Sequence, residues 1–418
     1  MERNIEEYLT KLVNDSNESN EADLLVSPAQ INMIQEDLTQ KYPEQVLQAL
    51  LDDKVKEHLV DIVNHEYSFL LNYDKNLANY VVQECIGTGI IERILQDDAI
   101  TDIGWNGKQL SVETNNNKWL INGKKLNISQ EYIDKVIAKY AAVNDKSFNS
   151  GSPILDGMFK NIRISATHKD NSPDGATMSM RVSRPNLALN IDNFSDFAPE
   201  YIFDFLKKIM FVRSNICISG ETGTGKTELL KLLVSFIDKN DRIIMIEDVQ
   251  ESHIKVLFPE KDIYSWIITP KESISDLVKA CLRNNPKWIL VSETRGSEAY
   301  EMLQAVLSGH FVVTTLHAVS AKAIPRRFVN MCASKFSINE DIVSEDIYRY
   351  FDFGVHIKKT IIDGKVIRYL NEIVEFTPDG ANTLFKQTIV EGNFVQKNLL
   401  KNISNEFKER LSEKSINI

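Results

Sequence analysis

Residues Gly220–Thr227 read GETGTGKT, which fits the phosphate-binding pattern G-x-x-x-x-G-K-[ST]. The β-branched apolar run Ile216–Ser219 precedes this stretch and predicts a strand, whereas Glu228–Leu233 has the apolar spacing of a helix. Between a strand and a helix, such glycines let backbone N–H groups turn toward phosphates, and the positive end of the helix adds to the attraction. The stretch therefore predicts a nucleotide-binding loop in an α/β domain.

The loop residues suggest how the nucleotide is held. Lys226 is predicted to reach the β- and γ-phosphates of ATP, and Thr227 to bind Mg²⁺ through its hydroxyl. ATP and Mg²⁺ are thus the expected cofactors. The other residues predicted to contact the nucleotide are Gly220, Glu221, Thr222, Gly223, Thr224, Gly225 and Glu228.

An acidic cluster follows the strand candidate Arg242–Ile246. The carboxyl ends of strands line the ligand crevice in an open α/β sheet. Glu247 or Glu251 is therefore predicted to orient or deprotonate the water that attacks the γ-phosphate, with Asp248 ordering the loop or the metal shell. Ordinary surface acids at a solvated strand end are the alternative interpretation.

Two later strand candidates also end in groups that suit phosphate chemistry. Glu293 follows Trp288–Val291 and is predicted to contact Mg²⁺ through water or to position the nucleophile. His310 and His317 flank the apolar run Phe311–Thr315. A histidine in such a place is either a packed, hydrogen-bonded residue or a functional group, and His317 is the stronger functional candidate.

Composition narrows the class of protein. The chain has 418 residues, 43% of them hydrophobic and 26% charged, so we expect a mostly folded protein of two or three domains. A net charge of −11 argues against broad nucleic-acid binding. No apolar run is long enough to span a bilayer and the first residues lack an export-signal layout, which predicts a cytoplasmic location. The four scattered cysteines are expected to be buried free thiols.

Changes of pattern along the chain suggest domain limits. The segment Gly87–Leu95 is expected to begin a region of short strands and turns, and Asp363-Gly364 to form the turn of a hairpin that closes the α/β domain. The predicted parts are a helical segment over 1–80, an α+β domain over 81–182, a linker over 183–195, an α/β nucleotide-binding domain over 196–375 and a C-terminal extension over 376–418.

Four motifs occur in a characteristic order. They are the loop Gly220–Thr227, the acidic Ile246–Glu251, the segment from Leu282-Arg283-Asn284-Asn285-Pro286 to Ser292–Ala299, and Thr315-Leu316-His317-Ala318. In this order they resemble the type II/type IV secretion traffic ATPases, especially the CpaF-like branch that serves Tad-type pili and conjugative systems. The resemblance covers roughly residues 85–375 and extends to Thr101-Asp102-Ile103, Arg163 and Gly175–Arg181.

The resemblance implies a RecA-like P-loop motor domain preceded by a smaller α+β, PAS-like domain, in a homo-hexameric ring that hydrolyses ATP. It implies that nucleotide sits between the two domains, that Arg163 and Arg181 approach the phosphates, and that His317 senses the γ-phosphate. The implied partners are inner-membrane secretion or pilus platform proteins, through which the protein is peripherally associated with the cytoplasmic face of the membrane.

Two residues depart from the family pattern. Lys287 follows Pro286 where relatives commonly carry aspartate, and Ser292 replaces a usual glycine. We expect the lysine to alter the charge beside the site and the serine to stiffen the turn. Two alternative functions remain open, namely a RecA-like ring motor acting directly on DNA and an ATP-dependent assembly module with little hydrolysis. The net negative charge argues against direct action on DNA, and no direct nucleic-acid partner is expected.

Overall fold

A computed structural model describes residues 26–49, 52–115, 117–126, 128–269, 271–362 and 365–416. Residues 1–25 of the predicted helical segment and the predicted turn Asp363-Gly364 lie outside these ranges. The chain divides into two compact units, Met1–Ser183 and Arg184–Ile418, which are described separately below.

The described part of the first unit begins with helices that share an apolar core. Ser27 caps the first helix: its hydroxyl accepts from the Gln30 N–H, and the Gln30 side chain accepts from the Ser27 N–H. Buried apolar side chains such as Ile34, Leu59 and Val81 hold the helices together. The helices are α1 (Pro28–Lys41), α2 (Pro43–Gln48), α3 (Asp53–Glu66), α4 (Lys75–Cys85) and α5 (Gly89–Leu95).

The last of these helices corrects a sequence-based expectation, because Gly89–Leu95 was expected to begin a region of strands and turns. Its isoleucines and leucine recur at helical spacing and are all buried, and they pack into the core of the neighbouring sheet. A short apolar run does not by itself distinguish a helix from a strand. Here, burial of one helical face against the sheet favours the helix.

A six-stranded antiparallel sheet completes the first unit, with strand order β3-β2-β1-β6-β5-β4. Helix α6 (Gln130–Val143), capped by the Ser129 hydroxyl, packs apolar residues such as Ile133 and Ile137 into its core. The strands are β1 (Ile100–Trp105), β2 (Gln109–Thr114), β3 (Lys118–Asn122), β4 (Ile154–Phe159), β5 (Ile162–Thr167) and β6 (Thr177–Val182).

The second unit is built on a nine-stranded sheet of order β15-β14-β13-β12-β7-β11-β10-β8-β9. The strands from β12 to β9 are parallel, and β13, β14 and β15 add antiparallel hairpins. The strands are β7 (Ile216–Gly220), β8 (Ile243–Glu247), β9 (Ile263–Ile267), β10 (Trp288–Val291), β11 (Phe311–Leu316), β12 (Phe353–Ile362), β13 (Lys365–Thr377), β14 (Gly380–Val390) and β15 (Asn393–Asn398). This confirms the predicted α/β class and the predicted strands that lead to the loop, the acids and His317.

Helices cover both faces of the parallel strands, so alternate residues of one strand enter different cores. Met245 of β8 and Leu290 of β10 pack on one face, whereas Ile246 and Val291, their next neighbours in sequence, pack on the other. The helices are α7 (Glu200–Phe211), α8 (Lys226–Ser235), α9 (Ile254–Leu257), α10 (Ile274–Cys281), α11 (Glu298–Leu307), α12 (Ile324–Ala333), α13 (Glu340–Tyr350) and α14 (Asn405–Ser412).

The sheet continues beyond the domain limit expected near residue 375, which falls inside β13. Phe385 of β14 and Phe407 of α14 enter the same core as the parallel strands, and Phe407 makes an edge-to-face contact with Phe353. Residues 376–416 are therefore part of this unit's sheet and core. The physical reason is that β13 has its second edge covered by β14 rather than exposed.

Two general features complete the fold. All four cysteines are buried and unpaired, as predicted, and burial raises their pKa. Among the described residues, no helix combines the length and the apolar composition that crossing a bilayer requires.

Candidate active site

The predicted phosphate loop connects β7 to α8. Gly223 and Gly225 have φ angles of 73° and 96°, in the left-handed region that favours glycine. At Gly220 the constraint is steric, because an added Cβ would lie 2.6 Å from the Ile357 carbonyl oxygen and 2.7 Å from the Thr224 hydroxyl. The backbone thus turns as tightly as the sequence motif requires.

The Lys226 amine lies within the loop. Its Nζ donates to the carbonyl oxygens of Gly220 and Glu221, at 3.0 Å each, and the residue is only 8% exposed. Burial lowers the pKa of Lys226, and the negative charge of Glu293 partly opposes that shift. The loop that holds Lys226 and Glu293 follow parallel strands β7 and β10 and therefore lie at the same carboxyl edge of the sheet.

Glu293 lies two residues beyond β10 and is held between the side chains of His317 and Arg295. Its Oε1 is 2.9 Å from Nε2 of His317, and its Oε2 accepts from Nη2 of Arg295 at 2.8 Å. Burial raises the pKa of Glu293, but the Arg295 hydrogen bond and the charges of Arg295, His317 and Lys226 together bring it below its ordinary value. The carboxylate is therefore ionised at neutral pH.

Arg295 connects two strand ends. Besides Glu293, its guanidinium binds Asp248, with Nη1 2.9 Å from Oδ2. The hydrogen bond to Glu293 is the largest influence raising the pKa of Arg295, and the charges of Asp248 and Glu251 add to it. Arg295 lies within the sequence motif Ser292–Ala299, which did not predict a role for it. Its spacing of two residues from Glu293 was the available signal.

Glu247 has a different environment from Glu293. It is 1% exposed, and its carboxylate accepts from the N–H groups of Glu251 and Ser252 and from the Ser252 hydroxyl. Both oxygens are thus used in closing the loop that follows β8. Burial raises the pKa of Glu247 against these hydrogen bonds. Glu247 is therefore engaged in holding this loop, to which Glu251 contributes a backbone N–H.

The carboxylate of Glu228, a residue predicted to contact the nucleotide, has two partners within the second unit. Its carboxylate accepts from the Ala188 N–H at 3.2 Å and pairs with Lys231 at 2.7 Å. The Lys231 side chain is 2% exposed, and its amine donates to the Asn186 carbonyl at 2.7 Å. The predicted linker thus lies against α8 over part of its length. Thr227, by contrast, is half-buried at the first turn of α8, where the motif places it.

Arg163 and Arg181 are directly opposite each other on β5 and β6 of the first unit. Arg181 binds Asp102 of β1 through Nε at 2.8 Å, and Arg163 contacts Asp156 of β4 at 3.3 Å. The acids offset the repulsion expected between like charges facing each other across strands. A phosphate-contacting role for the two arginines remains a prediction.

Two residues that were expected near the site lie at the opposite edge of the sheet. His310 comes directly before β11, where Nδ1 contacts the Ser308 hydroxyl and the Ala305 carbonyl. Lys287 precedes β10 and lies over the Phe311 ring. Because the strands are parallel, residues before a strand and after it are separated by the whole strand. The expectation that Lys287 alters the charge beside the site is therefore wrong.

The antiparallel hairpin β12–β13 contributes groups that sequence analysis missed. Lys359 donates to the Thr222 carbonyl at 2.7 Å, and Arg368 donates through Nε to the Gly223 carbonyl at 2.8 Å. His356 of β12 is buried beside the loop, with Nδ1 2.9 Å from the Ser219 hydroxyl. Burial, with a smaller effect of nearby Lys358, lowers the pKa of His356 to about 4. No local pattern marks these residues.

The donor set fits Mg²⁺ together with a phosphate ligand. A threonine hydroxyl and a carboxylate are the oxygen ligands that this ion takes while it keeps waters and phosphate oxygens. In the part of the chain that the structure describes, no group of three or more His, Cys, Asp or Glu side chains could hold a metal by itself. Thr227 and Glu293 would therefore hold the ion only alongside a bound nucleotide.

The chain is similar to several known proteins. The family described as "Type II/IV secretion system protein" matches residues 159–347. An uncharacterized Bacillus anthracis protein, pXO2-25, is 44% identical over 402 residues, which cover 93% of this chain and 91% of that protein. Type IV secretion system protein VirB11 of Brucella suis is 30% identical over 182 residues, or 40% of this chain and 49% of VirB11.

The chain thus spans nearly all of its Bacillus relative but about half of VirB11. Among solved structures, the Legionella pneumophila ATPase DotB is similar with a TM-score of 0.49 and 21% identity, covering 69% of this chain and 81% of DotB.

Proposed function

Because the chain belongs to the type II/IV secretion system protein family, we propose that it is an ATP hydrolase that powers a type IV secretion, conjugation or Tad-type pilus machine. The observation that carries the proposal is the placement of the phosphate loop, which holds Lys226, and of Glu293 at the same carboxyl edge of the parallel strands. A phosphate loop supplies binding, and an ionised acid beside it supplies the group that orients water.

Each side chain has a defined part in the proposed reaction. Lys226 leaves the loop carbonyls for the β- and γ-phosphate oxygens, and its charge offsets the negative charge that develops there. Glu293 orients the attacking water or accepts its proton, with Glu251 as the second candidate base. His317, held on Glu293 at 2.9 Å, senses the γ-phosphate. Thr227 and Glu293 would hold Mg²⁺, which would supply neutralisation of the negative charge on the phosphates.

The finer parts of the proposal concern assembly and movement. The protein forms a homo-hexameric ring of the CpaF-like type and works at the cytoplasmic face of the membrane on inner-membrane platform proteins. Arg163 and Arg181 exchange their carboxylate partners for phosphate oxygens during turnover. Hydrolysis drives motion of the two units because ATP and ADP are bound with different contacts.

The central test is phosphate release by purified full-length protein. Lys226→Ala is expected to abolish turnover, while Lys239→Ala, which removes an exposed lysine just beyond the same helix, leaves it unchanged. Hydrolysis by Lys226→Ala at the parental rate would show that the site is misassigned. Binding of ATP by the parent without steady-state hydrolysis would favour the assembly module.

A second experiment separates protein transport from a DNA motor. Single-stranded DNA is added to the ATPase assay at low and high salt, and light scattering measures the particle mass with and without ATP. We expect no stimulation by DNA and a mass of six chains. Stimulation that disappears with salt would favour direct action on DNA.

A further inference from the structure

Two cations of the β12–β13 hairpin contact the outside of the phosphate loop. Lys359 and Arg368 are direct partners across the two antiparallel strands. Lys359 Nζ donates to the Thr222 carbonyl at 2.7 Å and Arg368 Nε donates to the Gly223 carbonyl at 2.8 Å. Adjacent peptide groups of the loop are therefore each held by a positive charge from the same hairpin.

The register explains why the hairpin reaches the loop. β12 runs parallel to β7, with Ile357 paired to Gly220, the last residue of β7. The chain turns away into the loop at this point, but β12 continues to Ile362. The part of β12 that extends beyond β7 places Lys359 over the loop, and β13 brings Arg368 beside it.

The placement has an electrostatic cost that the contacts offset. Like charges directly opposite each other on antiparallel strands destabilise the sheet. Here each cation binds a carbonyl oxygen, and hydrogen bonds from charged donors are stronger than those between neutral groups. The two loop carbonyls therefore draw the cations together on one side of the loop.

Peptide geometry links these contacts to the phosphate side of the loop. In a planar trans peptide the C=O and the N–H point in opposite directions. Holding the Thr222 carbonyl toward the hairpin turns the Gly223 N–H the other way, and holding the Gly223 carbonyl does the same for the Thr224 N–H. Glycine has more backbone freedom than any other residue, so an ordered Gly223 costs considerable conformational entropy.

We propose that Lys359 and Arg368 are positioning residues that hold the phosphate loop in its nucleotide-binding conformation by binding the Thr222 and Gly223 carbonyls. This inference rests on the proposed ATPase function and adds to it a structural support from outside the motif. Preorganisation of this kind raises affinity by reducing the ordering that binding would otherwise require.

The test uses Lys359→Met and Arg368→Met in the full chain, with Lys358→Met as the matched control. Lys358 is the exposed neighbour of Lys359 on the same strand, and its side chain points to the other face of the hairpin. Each loop variant is expected to weaken binding of ADP and of a non-hydrolysable ATP analogue by the same factor, about tenfold. kcat at saturating ATP stays near the parental value, and the control behaves as the parent.

A second measurement needs no nucleotide. Hydrogen–deuterium exchange of loop amides, followed in peptides covering residues 220–225, is expected to be faster in both methionine variants than in the parent and the control. Lys359→Arg and Arg368→Lys, which keep a charged donor, should restore much of the protection. A purely structural role of the hairpin would instead change exchange throughout β12 and β13.

The outcomes are distinct. Unchanged loop exchange and unchanged ADP affinity would overturn the inference while leaving the ATPase assignment intact. A fall in kcat with normal ADP affinity would also overturn it, because the cations would then act on the transferring phosphate. If the parent protein bound no nucleotide, the proposed function would be contradicted. Faster exchange of the loop amides would then not be enough to support the inference.

Discussion

His317 lies with its Nε2 2.9 Å from the Oε1 of Glu293, while Arg295 occupies the other oxygen of the same carboxylate. The three residues come from the carboxyl ends of neighbouring strands β10 and β11. Both oxygens of the candidate base thus have fixed orientations. The chemistry of the site depends on partners that hold Glu293 as well as on Glu293 itself.

Replacing Arg295 with methionine should move the acid limb of the pH–rate profile. The arginine helps to keep the pKa of Glu293 low, so its loss raises that pKa and protonates the carboxylate at a higher pH. We expect the limb to move to higher pH. kcat should fall about tenfold to a hundredfold because Glu293 loses its fixed orientation.

The matched control for this variant is Arg326→Met, which removes an exposed surface ion pair with Glu340. Its kcat and pH profile should follow the parent. An acid limb that does not move in Arg295→Met would mean that Glu293 does not titrate in the rate-determining step.

Stability at acidic pH should depend on His356. Its pKa is lowered from 6.5 to about 4 in the folded state, mainly by burial. Between pH 6.5 and about 4 the imidazole is therefore protonated in the unfolded chain but neutral in the folded chain. The stabilising contribution present above pH 6.5 is lost as the pH falls toward 4. Over that interval the loss approaches about 3 kcal/mol.

The measurement is urea denaturation at pH 7.5 and pH 4.5, followed by tryptophan fluorescence, in the parent and in His356→Asn. The variant should be less stable at pH 7.5, because the contact with Ser219 is altered, but should lose less stability on acidification. Equal acid sensitivity of the two proteins would contradict the assignment of a neutral, buried imidazole.

Adding a methyl group at Gly220 should damage the loop. The new Cβ of Gly220→Ala would approach the Ile357 carbonyl oxygen at 2.6 Å, and this is backbone that cannot rotate away. We expect a loss of about 1–3 kcal/mol in unfolding free energy and weaker nucleotide binding. Gly151→Ala, whose Cβ meets only a flexible asparagine oxygen at 3.3 Å, is the control for thermal denaturation. Parental stability of Gly220→Ala would show that the loop lies farther from β12.

The buried Lys231 should order the segment that precedes the second unit's core. Lys231→Met removes the donor to the Asn186 carbonyl and leaves Glu228 without its cation. Amide exchange at Ala188, whose N–H binds Glu228, is expected to accelerate about tenfold, since a hydrogen bond to a charged group is worth about 1.5–3 kcal/mol. Exchange mass spectrometry of peptides covering 186–190 measures it.

Glu228→Gln keeps an acceptor for the Ala188 N–H and should show an intermediate rate. Lys239→Met, on the exposed surface after α8, should exchange as the parent does. If the Ala188 amide exchanged as slowly in Lys231→Met as in the parent, the packing of Leu189 against the core would be sufficient to hold the segment.

The sequence was most informative where chemistry depends on neighbours in the chain. The loop motif, Glu293 and His317 were predicted because each lies at or just beyond the end of an apolar strand, and parallel strands bring such ends together. The same rule, applied more strictly, would have excluded His310, which precedes its strand. Parallel pairing therefore indicates which edge of the sheet a residue occupies as well as which residues can meet.

The hairpin cations could not be predicted in this way. Lys359 is 137 residues from its loop contact and Arg368 is 145 residues from its own, so no local spacing connects them. Likewise, Glu247 and Glu251 have equivalent places in the sequence motif. Glu247 is distinguished by hydrogen bonds from the Ser252 N–H and hydroxyl, which depend on the loop's conformation rather than on residue type.

The division of each central strand between two cores has a consequence for how this fold can change. A single-residue insertion within β8 or β10 would exchange the two faces and send every later side chain of that strand to the wrong layer. The same slip would rotate the acids at the strand ends away from the phosphate loop. Core packing and the position of the catalytic acids therefore both depend on strand length. Insertions and deletions that preserve activity are expected in the loops and not in the strands.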